Sequence, residues 1–363
     1  MSSMEQTSQD RSAELLEQVR SALASKTPLR IRGGDSKGFL GRAVQGQDLS
    51  LAGHEGVVDY DPAELVVTVR AGTSLARLDA VLREQGQWLP FEPPEFDGRA
   101  TVGGAMACGL SGPRRPWSGS LRDYVLGCRL ISGLGTHLRF GGQVMKNVAG
   151  YDVSRLMVGA QGCLGVITEV SFKVLPRPRS THSLVLDAAH EDLAGLLRQW
   201  RDQSRPISAM SWQDGRLHVR LEGGESSVRL AREELGGEPL DASYWDELRE
   251  QRLSFFQGPG SLWRIALPVD APAQRWPGAM LADWGGAQLW LKSDATLERI
   301  HEQARELKGH ARCWSGPHAG QDELPESLLA WHRRLKDQLD PSHIFNPGRL
   351  FAASGSEATC KHI

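Results

Sequence analysis

The sequence predicts an α+β protein built of two parts. The front half alternates short β-branched stretches with amphipathic helical stripes, and fifteen of the 40 glycines fall between Gly98 and Gly165. From about residue 180 the chain repeats hairpins and helices, a pattern typical of an antiparallel sheet with helices on one face. The stretch Pro-Arg-Pro-Arg-Ser at residues 176–180 interrupts regular structure between the two parts.

Each element of the first part has a local reason. Three leucines and a valine form one stripe over residues 11–25, and Thr73 or Ser74 caps a helix that Gly86 ends. Thr101 caps a short helix, and Gly-Leu-Gly at residues 133–135 turns a hairpin. The prediction in chain order is helix 11–25, strands 29–32 and 65–70, helix 75–86, a short helix from 102, hairpin 126–132 and 136–140, helix 152–158 and strand 166–175.

The second part is simpler. Asp214-Gly215 and Gly285-Gly286 each separate two apolar runs, so each predicts a hairpin. Strands are predicted at 184–186, 207–212, 217–221, 262–267, 280–284 and 288–291, and helices at 193–200, 228–235, 297–307 and 328–339. We expect a flexible tail over residues 1–10, a first domain over 11–178, a smaller cap domain over 179–335, and a C-terminal segment, 336–363, that returns to the first domain.

Composition excludes several classes of function. The net charge is −2 and the pI about 6.6, so nothing favours nucleic acid or an anionic membrane as a partner. The start lacks the pattern of a signal peptide, and no uncharged run is long enough to span a bilayer. We therefore expect a cytoplasmic protein without direct membrane insertion. The five cysteines form no CxxC pair, so no metal or iron–sulfur site is predicted.

One short motif has two interpretations. Gly-Asp-Ser-Lys-Gly at residues 34–38 matches the nucleophile elbow of hydrolases, which requires a strand before it and a helix after it. A strand precedes it, but no helical stripe follows. The alternative is a glycine turn whose consecutive N–H groups face a phosphate. No GxGxxG motif follows a predicted strand, and no GxxxxGK[ST] or HExxH motif is present, so Rossmann, P-loop and zincin sites are not supported.

A set of motifs in fixed order carries more weight than any single one. Together they resemble the PCMH-type FAD-binding domain of the vanillyl-alcohol oxidase family, and more closely the FAD-binding subunits of bacterial glycolate oxidase. The motifs are Arg-Ile-Arg-Gly-Gly-Asp-Ser (30–36), Thr-Val-Gly-Gly (101–104), Gly-Leu-Ser-Gly-Pro (109–113), Lys-Asn (146–147) before Gly-Tyr-Asp-Val-Ser-Arg-Leu (150–156), Gly-Ala-Gln-Gly-Cys-Leu-Gly-Val-Ile-Thr-Glu-Val (159–170) and Asp-Pro-Ser-His-Ile-Phe-Asn-Pro-Gly-Arg-Leu (340–350). Lys146-Asn147 is equally compatible with a surface turn.

The resemblance implies a two-lobed FAD domain and assigns roles to its turns. A pyrophosphate held without metal needs several backbone N–H donors, and a β-carbon would obstruct them. Residues 33–36 are expected to supply one set of donors, and Gly103-Gly104 at a helix N-terminus a second. The turn 109–111 is expected beside the flavin. The predicted FAD-binding residues are Arg32, Gly33, Gly34, Asp35, Ser36, Thr101, Gly103, Gly104, Gly109, Leu110, Ser111, Gly165 and Ile167. Some relatives link the flavin to a histidine where this chain has Asp35, so we predict non-covalent FAD.

Catalytic residues are harder to find in the sequence. Oxidation of a 2-hydroxy acid by a flavin needs a cation for the carboxylate and a base for the hydroxyl proton. Related 2-hydroxy acid dehydrogenases have a histidine-containing glycine-rich stretch late in the cap, and its nearest equivalent here is Ser-Gly-Pro-His-Ala-Gly at residues 315–320. His318 in this stretch is a weak candidate for the base, and a surface histidine is the alternative. Arg114-Arg115 is equally compatible with a phosphate contact or a solvated pair. Trp263, Trp284 and Trp290 are predicted as core residues rather than a substrate box.

The resemblance therefore favours a subunit over a complete enzyme. It implies that this chain works with a larger FAD-containing subunit and an iron–sulfur subunit to oxidise a small 2-hydroxy acid, glycolate or D-lactate. The complex is then expected at the inner face of the cell membrane through its partners. Two alternatives remain open: a self-sufficient FAD-dependent 2-hydroxy acid dehydrogenase, and a flavin-free structural subunit.

Overall fold

A computed structural model describes residues 8–142, 152–320 and 324–351 of the 363. Residues 1–7 of the predicted tail and residues 143–151, which hold the Lys146-Asn147 motif, lie outside the described residues. The described end of the tail is attached: Gln9 pairs with Glu55 in an antiparallel bridge. No helix in the described part is both long and apolar enough to cross a bilayer.

The first part contains two main sheets. A parallel pair, β1-β2, lies beside a five-stranded antiparallel sheet in the order β3-β4-β8-β6-β7, and β5 and β9 form a short ribbon. The elements are α1 (Ser12–Ser25), β1 (Leu29–Arg32), β2 (Gln47–Ser50), β3 (Val57–Asp61), β4 (Val66–Arg70), α2 (Leu75–Glu84), β5 (Gln87–Trp88), α3 (Val102–Cys108), α4 (Arg115–Ser118), α5 (Leu121–Tyr124), β6 (Val125–Ile131), β7 (His137–Gly141), α6 (Val153–Leu156), β8 (Val166–Lys173) and β9 (Leu175–Pro176).

Local sequence explains the helices that border the site. The Ser74 side chain accepts a hydrogen bond from the Arg77 N–H and caps α2, whose leucines face the core. Thr101 caps α3 in the same way, by accepting from the Gly104 N–H. Gly109 ends α3 with φ +65°, a left-handed conformation that glycine adopts without steric cost. Residues 34–38 form a turn with no helix after it, so the hydrolase-elbow geometry is absent there.

The second part is an eight-stranded sheet in the order β13-β10-β12-β11-β15-β16-β14-β17. Helices α7, α8 and α10 pack their apolar residues on one face. The short α9 packs on the opposite face through Trp245 and Leu248, together with Leu40 and Leu110 of the first part. The elements are β10 (Ser180–Asp187), α7 (Leu193–Asp202), β11 (Ile207–Gln213), β12 (Arg216–Gly223), α8 (Glu225–Leu235), β13 (Glu238–Pro239), α9 (Ser243–Arg249), β14 (Leu262–Ala266), β15 (Ala279–Asp283), β16 (Gln288–Lys292), α10 (Leu297–Glu306), β17 (His310–Ser315) and α11 (Glu326–Leu339).

The chain after α11 lies against the first part. Leu29 bridges to Phe345 in parallel register, and the Asn346 side-chain oxygen accepts from the Ile31 N–H at 2.7 Å. Buried Lys336 donates to Asp340 Oδ2 (2.5 Å) and to the carbonyls of Cys163 (2.8 Å) and Phe345 (2.7 Å). This segment therefore extends the small β1-β2 sheet. The four predicted domain bounds stay predictions, and residues 352–363 are outside the described part.

Candidate functional site

A cleft of about 350 Å³ lies where the loop after β1, the start of α3, the turn before β8 and the C-terminal segment meet. It brings together most of the predicted FAD-binding residues, which are distant in sequence. Its lining includes Arg32, Gly33, Gly34, Asp35, Ser36, Thr101, Gly103, Gly104, Gly165 and Ile167 from the predicted set. It also includes five residues that were not predicted to bind FAD: Lys37, Cys108, Gln161, Asn346 and Arg349.

The loop after β1 presents free backbone donors to this cleft. Asp35 has φ +53°, so the backbone reverses its curvature there and the neighbouring N–H groups converge. Among the described residues, the N–H groups of Gly34, Asp35 and Ser36 have no hydrogen-bond acceptor. Consecutive unpaired N–H groups in such a turn form an anion-binding concavity. This is the arrangement that a pyrophosphate requires.

The start of α3 corrects a prediction. The N–H groups of Val102 and Gly103 donate to the carbonyls of Thr73 (2.9 Å) and Ala71 (2.8 Å), and that of Gly104 donates to the Thr101 hydroxyl (3.2 Å). Its first-turn donors are therefore already used within the protein. Thr101, Gly103 and Gly104 form a wall of the cleft, but the expected second set of phosphate donors is not available there.

Glycine is required in the loop after β1 and at the start of α3 for a different reason from the one predicted. A Cβ on Gly34 would lie 1.6 Å from the Arg99 carbonyl oxygen, and a Cβ on Gly33 would lie 2.2 Å from Thr101 Oγ1. A Cβ on Gly103 would lie 2.6 Å from that of Ala71. These three glycines let protein segments approach each other. At Gly104 only Thr101 Oγ1, at 3.1 Å, is near, so a side chain there would project into the cleft.

Positive charge surrounds the cleft. Arg30 and Arg32 share the carboxylate of Asp48, and Arg32 Nε is buried without a hydrogen-bond partner among the described residues. Arg349 Nε donates to Gln161 Oε1 at 3.1 Å. Burial lowers the pKa of Lys37, whose ammonium lies 5.1 Å from the centre of the Phe96 ring. An unpaired guanidinium nitrogen and a row of free N–H groups both fit a phosphorylated ligand such as FAD.

Three predicted residues lie elsewhere. Gly109, Leu110 and Ser111 do not line this cleft; Leu110 and Ser111 line a second cavity, beneath the sheet of the second part. The reason is that Leu110 packs into the apolar cluster shared with Trp290 and Trp314, which draws the turn toward the cap. The expected contact of this turn with the flavin therefore stays a prediction.

The second cavity, which we call the Arg264 cavity, has a volume of about 30 Å³. Arg264 lies in a cage of indole rings, its Cζ 5.2 Å, 6.0 Å and 5.6 Å from the ring centres of Trp284, Trp290 and Trp314. Burial lowers its pKa to about 10, and burial raises the pKa of Asp283, on the same cavity, to about 7. A charged residue inside the apolar stretch Leu-Trp-Arg-Ile-Ala was the sequence signal that could have found this site.

The remaining predicted side chains have structural surroundings. His318 is half-buried, its ring centre is 6.3 Å from that of Trp263, and it lines neither cavity, so its role as the base stays a prediction. Half-buried Arg114 forms an ion pair with the buried carboxylate of Glu222, and exposed Arg115 lies over the Trp284 ring at 4.4 Å. Neither residue lines the cleft after β1, so the structure does not support the phosphate contact; Arg115 is exposed, as the solvated alternative expects, whereas Arg114 is paired with Glu222. All three predicted core tryptophans are buried, although Trp284 and Trp290 also border Arg264.

Comparison with known proteins agrees with this geometry. A family model described as an FAD binding domain matches residues 10–141. Glycolate oxidase subunit GlcE of Escherichia coli (strain K12) is 55% identical over 343 residues, 94% of this chain and 98% of that protein. The chain belongs to the GlcE family of glycolate oxidase subunits. The chain contains an FAD-binding domain, and the resemblance of its motifs to the FAD-binding subunits of glycolate oxidase is confirmed.

More distant relatives match less than half of this chain and about a third of their own length. A D-lactate dehydrogenase of Anaerostipes hadrus is 35% identical over 42% of this chain and 32% of its own length. Glycolate oxidase subunit GlcD of Bacillus subtilis (strain 168) is 31% identical over 39% of this chain and 31% of its own length. A solved alkyldihydroxyacetonephosphate synthase covers 93% of this chain and 75% of its own, with TM-score 0.65 and 16% identity. That structure supports the predicted fold class across both parts.

Proposed function

We propose that this GlcE-family chain holds FAD in the cleft after β1, without a covalent link, as one subunit of a complex that oxidises glycolate. The observation that supports it best is the row of free N–H groups at residues 34–36, facing a cleft walled by Gly104 and bordered by Arg32. Asp35 stands where some relatives have the flavin-linked histidine, and a carboxylate does not form that linkage. When bound, FAD accepts a hydride from the α-carbon of a 2-hydroxy acid.

The chain's own contribution is binding and orientation. Gly34, Asp35 and Ser36 would donate to the pyrophosphate oxygens, and Arg32 would neutralise part of their charge. Gly165 and Ile167, at the start of the central strand β8, form another wall of the same cleft. The rest of the proposal concerns partners: a GlcD-type subunit with a second FAD, and an iron–sulfur subunit that takes electrons from the reduced flavin. We place the assembly in the cytoplasm, peripheral to the membrane through these partners.

Purification of the chain by itself tests the first half of the proposal. We expect a yellow protein whose visible spectrum shows bound flavin and which releases free FAD on heating. A covalent link would leave the flavin with the precipitated chain, and a colourless preparation that cannot be loaded with FAD would favour a structural subunit.

Activity measurements test the second half. Glycolate-dependent reduction of a dye should require co-expression with the GlcD-type and iron–sulfur subunits. If the isolated chain reduces the dye with glycolate or D-lactate at the rate of the complex, it is a self-sufficient dehydrogenase and the subunit proposal is wrong.

A further inference from the structure

The guanidinium of Arg264 is unusual because it is enclosed yet incompletely bonded. Its Nε donates to Gln288 Oε1 at 2.6 Å, and Gln288 Nε2 donates in turn to Asp283 Oδ2 at 3.1 Å. Among residues 8–142, 152–320 and 324–351, Nη1 and Nη2 have no hydrogen-bond or ion-pair partner. Asp283 is held through the amide of Gln288 instead of pairing directly with the arginine. Arg264 is half-buried and lines the cavity, so two donors of this cation are left without a protein partner there.

We propose that the Arg264 cavity binds a small monocarboxylate, whose two oxygens accept hydrogen bonds from Nη1 and Nη2 of Arg264. Guanidinium and carboxylate match each other in this two-bond geometry. The indole rings of Trp290 and Trp314 flank the cation and fix its plane. None of the residues that line the cleft after β1 also lines this cavity.

The size and charge of the cavity select the class of ligand. At about 10–15 Å³ for each water, 30 Å³ accommodates roughly two oxygen-sized atoms, so the two carboxylate oxygens would fill the cavity and the carbon atoms of the acid would extend through its open side. Arg249, the other cation on its lining, already contacts Glu250 (2.8 Å) and Asp246 (3.1 Å). A second carboxylate would therefore lack a cation of its own. Acids of two or three carbons fit these limits better than dicarboxylates.

The position of the cavity indicates where the α-carbon of a bound acid would point. Leu110 and Ser111, the turn expected beside the flavin, form another part of the cavity wall. Ser111 Oγ accepts from the Leu121 N–H at 3.0 Å, which leaves the hydroxyl proton free to donate. A short acid anchored on Arg264 would point its α-carbon toward this wall. This step rests on the proposed function, since only there does a 2-hydroxy acid meet a flavin.

Acetate and acetamide, which share a shape but differ in charge, test the site in the full chain loaded with FAD. Binding is followed by calorimetry and by the fluorescence of the indole cage. We expect acetate and glycolate to bind, and acetamide and chloride to bind at least about 10-fold more weakly. A hydrogen bond between charged groups contributes about 1.5–3 kcal/mol, and neither acetamide nor chloride can form the charged two-bond contact. Equal binding of acetate and acetamide, or of acetate and chloride, would overturn the proposal without any variant being made.

Variants locate the site. Arg264→Met should weaken acetate binding by about 10- to 100-fold, and Arg264→Lys, which keeps the charge but not the two-bond geometry, by a smaller factor. Arg229→Met, at an exposed arginine on α8, is the matched control and should bind like the wild type. Unchanged acetate affinity in folded Arg264→Met and Arg264→Lys would overturn the assignment. A colourless chain that binds acetate contradicts the flavin proposal alone, and a yellow chain that does not bind it contradicts only this inference.

Discussion

Arg220 on strand β12 of the cap and Glu92 in the first part form a buried ion pair, with Nη2 and Oε1 2.8 Å apart. The two charges attract each other, but their angles do not meet those of a hydrogen bond: Arg220 Nη2 has no hydrogen-bond partner among the described residues. Glu92 also accepts from the Arg114 N–H at 2.9 Å, and Arg114 pairs with Glu222 on β12. This group of four charges fixes the sheet of the second part against the segment that leads to α4.

Arg220→Met should destabilise the protein strongly. It leaves Glu92 and Glu222 buried with fewer cations, and breaking a buried pair costs about 3–5 kcal/mol. Arg216→Met on the same strand removes exposed ion pairs with Asp187 and Glu238, and should leave stability nearly unchanged. Urea unfolding of the three proteins measures the difference. Equal midpoints for the two variants would show that the buried group contributes no more than surface charges.

Gly104→Val should abolish FAD retention and leave the fold intact. The added side chain meets only Thr101 Oγ1 and otherwise enters the cleft. Gly195→Val, on α7 with no atom within 4 Å of the added Cβ, carries the same substitution away from the site and should keep its flavin. The ratio of visible to ultraviolet absorbance gives the occupancy. Full FAD occupancy in folded Gly104→Val would show that FAD does not bind in the cleft beside residue 104.

Asp283 should make stability fall as the pH rises. Burial raises its pKa from the model-compound value of 3.8 to about 7, so the folded state binds a proton that the unfolded state has already lost between these values. Its stabilising contribution is complete below pH 4 and is lost toward pH 7. Asp283→Asn removes this dependence. The unfolding free energy of the wild type minus that of the variant, measured from pH 5 to 8, should decrease with pH; a flat difference would contradict the raised pKa.

Lys336→Met should weaken both stability and FAD binding. The variant leaves the carboxylate of Asp340 and two carbonyls buried without their donor, a loss of about 3–5 kcal/mol. The segment that they hold carries Asn346 and Arg349 into the FAD cleft. Gln338→Met, exposed on the same helix, serves as the control. We expect a lower melting temperature and faster loss of FAD on dilution only in Lys336→Met. Flavin release at the rate of the control would show that the C-terminal segment does not contribute to FAD binding.

Much of the fold follows from local sequence. Strand β1 has the predicted bounds, and Thr101 and Ser74 cap the helices that their positions indicate, because caps and short apolar periods act over a few residues. Strand β2, Gln-Asp-Leu-Ser, was not predicted: its residues have little β preference, and it forms by parallel pairing with β1. Strands β3 and β17 were also missed. Strand β17 forms by pairing with the distant β14, whereas β3 pairs with the neighbouring β4 and is too exposed to show a buried alternation.

The sequence by itself determined the family and the cofactor, and it named many of the residues that line the cleft after β1, because glycine turns in fixed order are a chemical signature that needs no coordinates. Tertiary structure alone decided which N–H groups remain free. The turn at residues 34–36 keeps its donors, whereas α3 gives its own to the carbonyls of Ala71 and Thr73, which come from another segment. It alone decided, too, that His318 lies away from both cavities and that Arg264 faces one. Hydrogen-bond partners and burial depend on segments distant in sequence, and only folding brings those together.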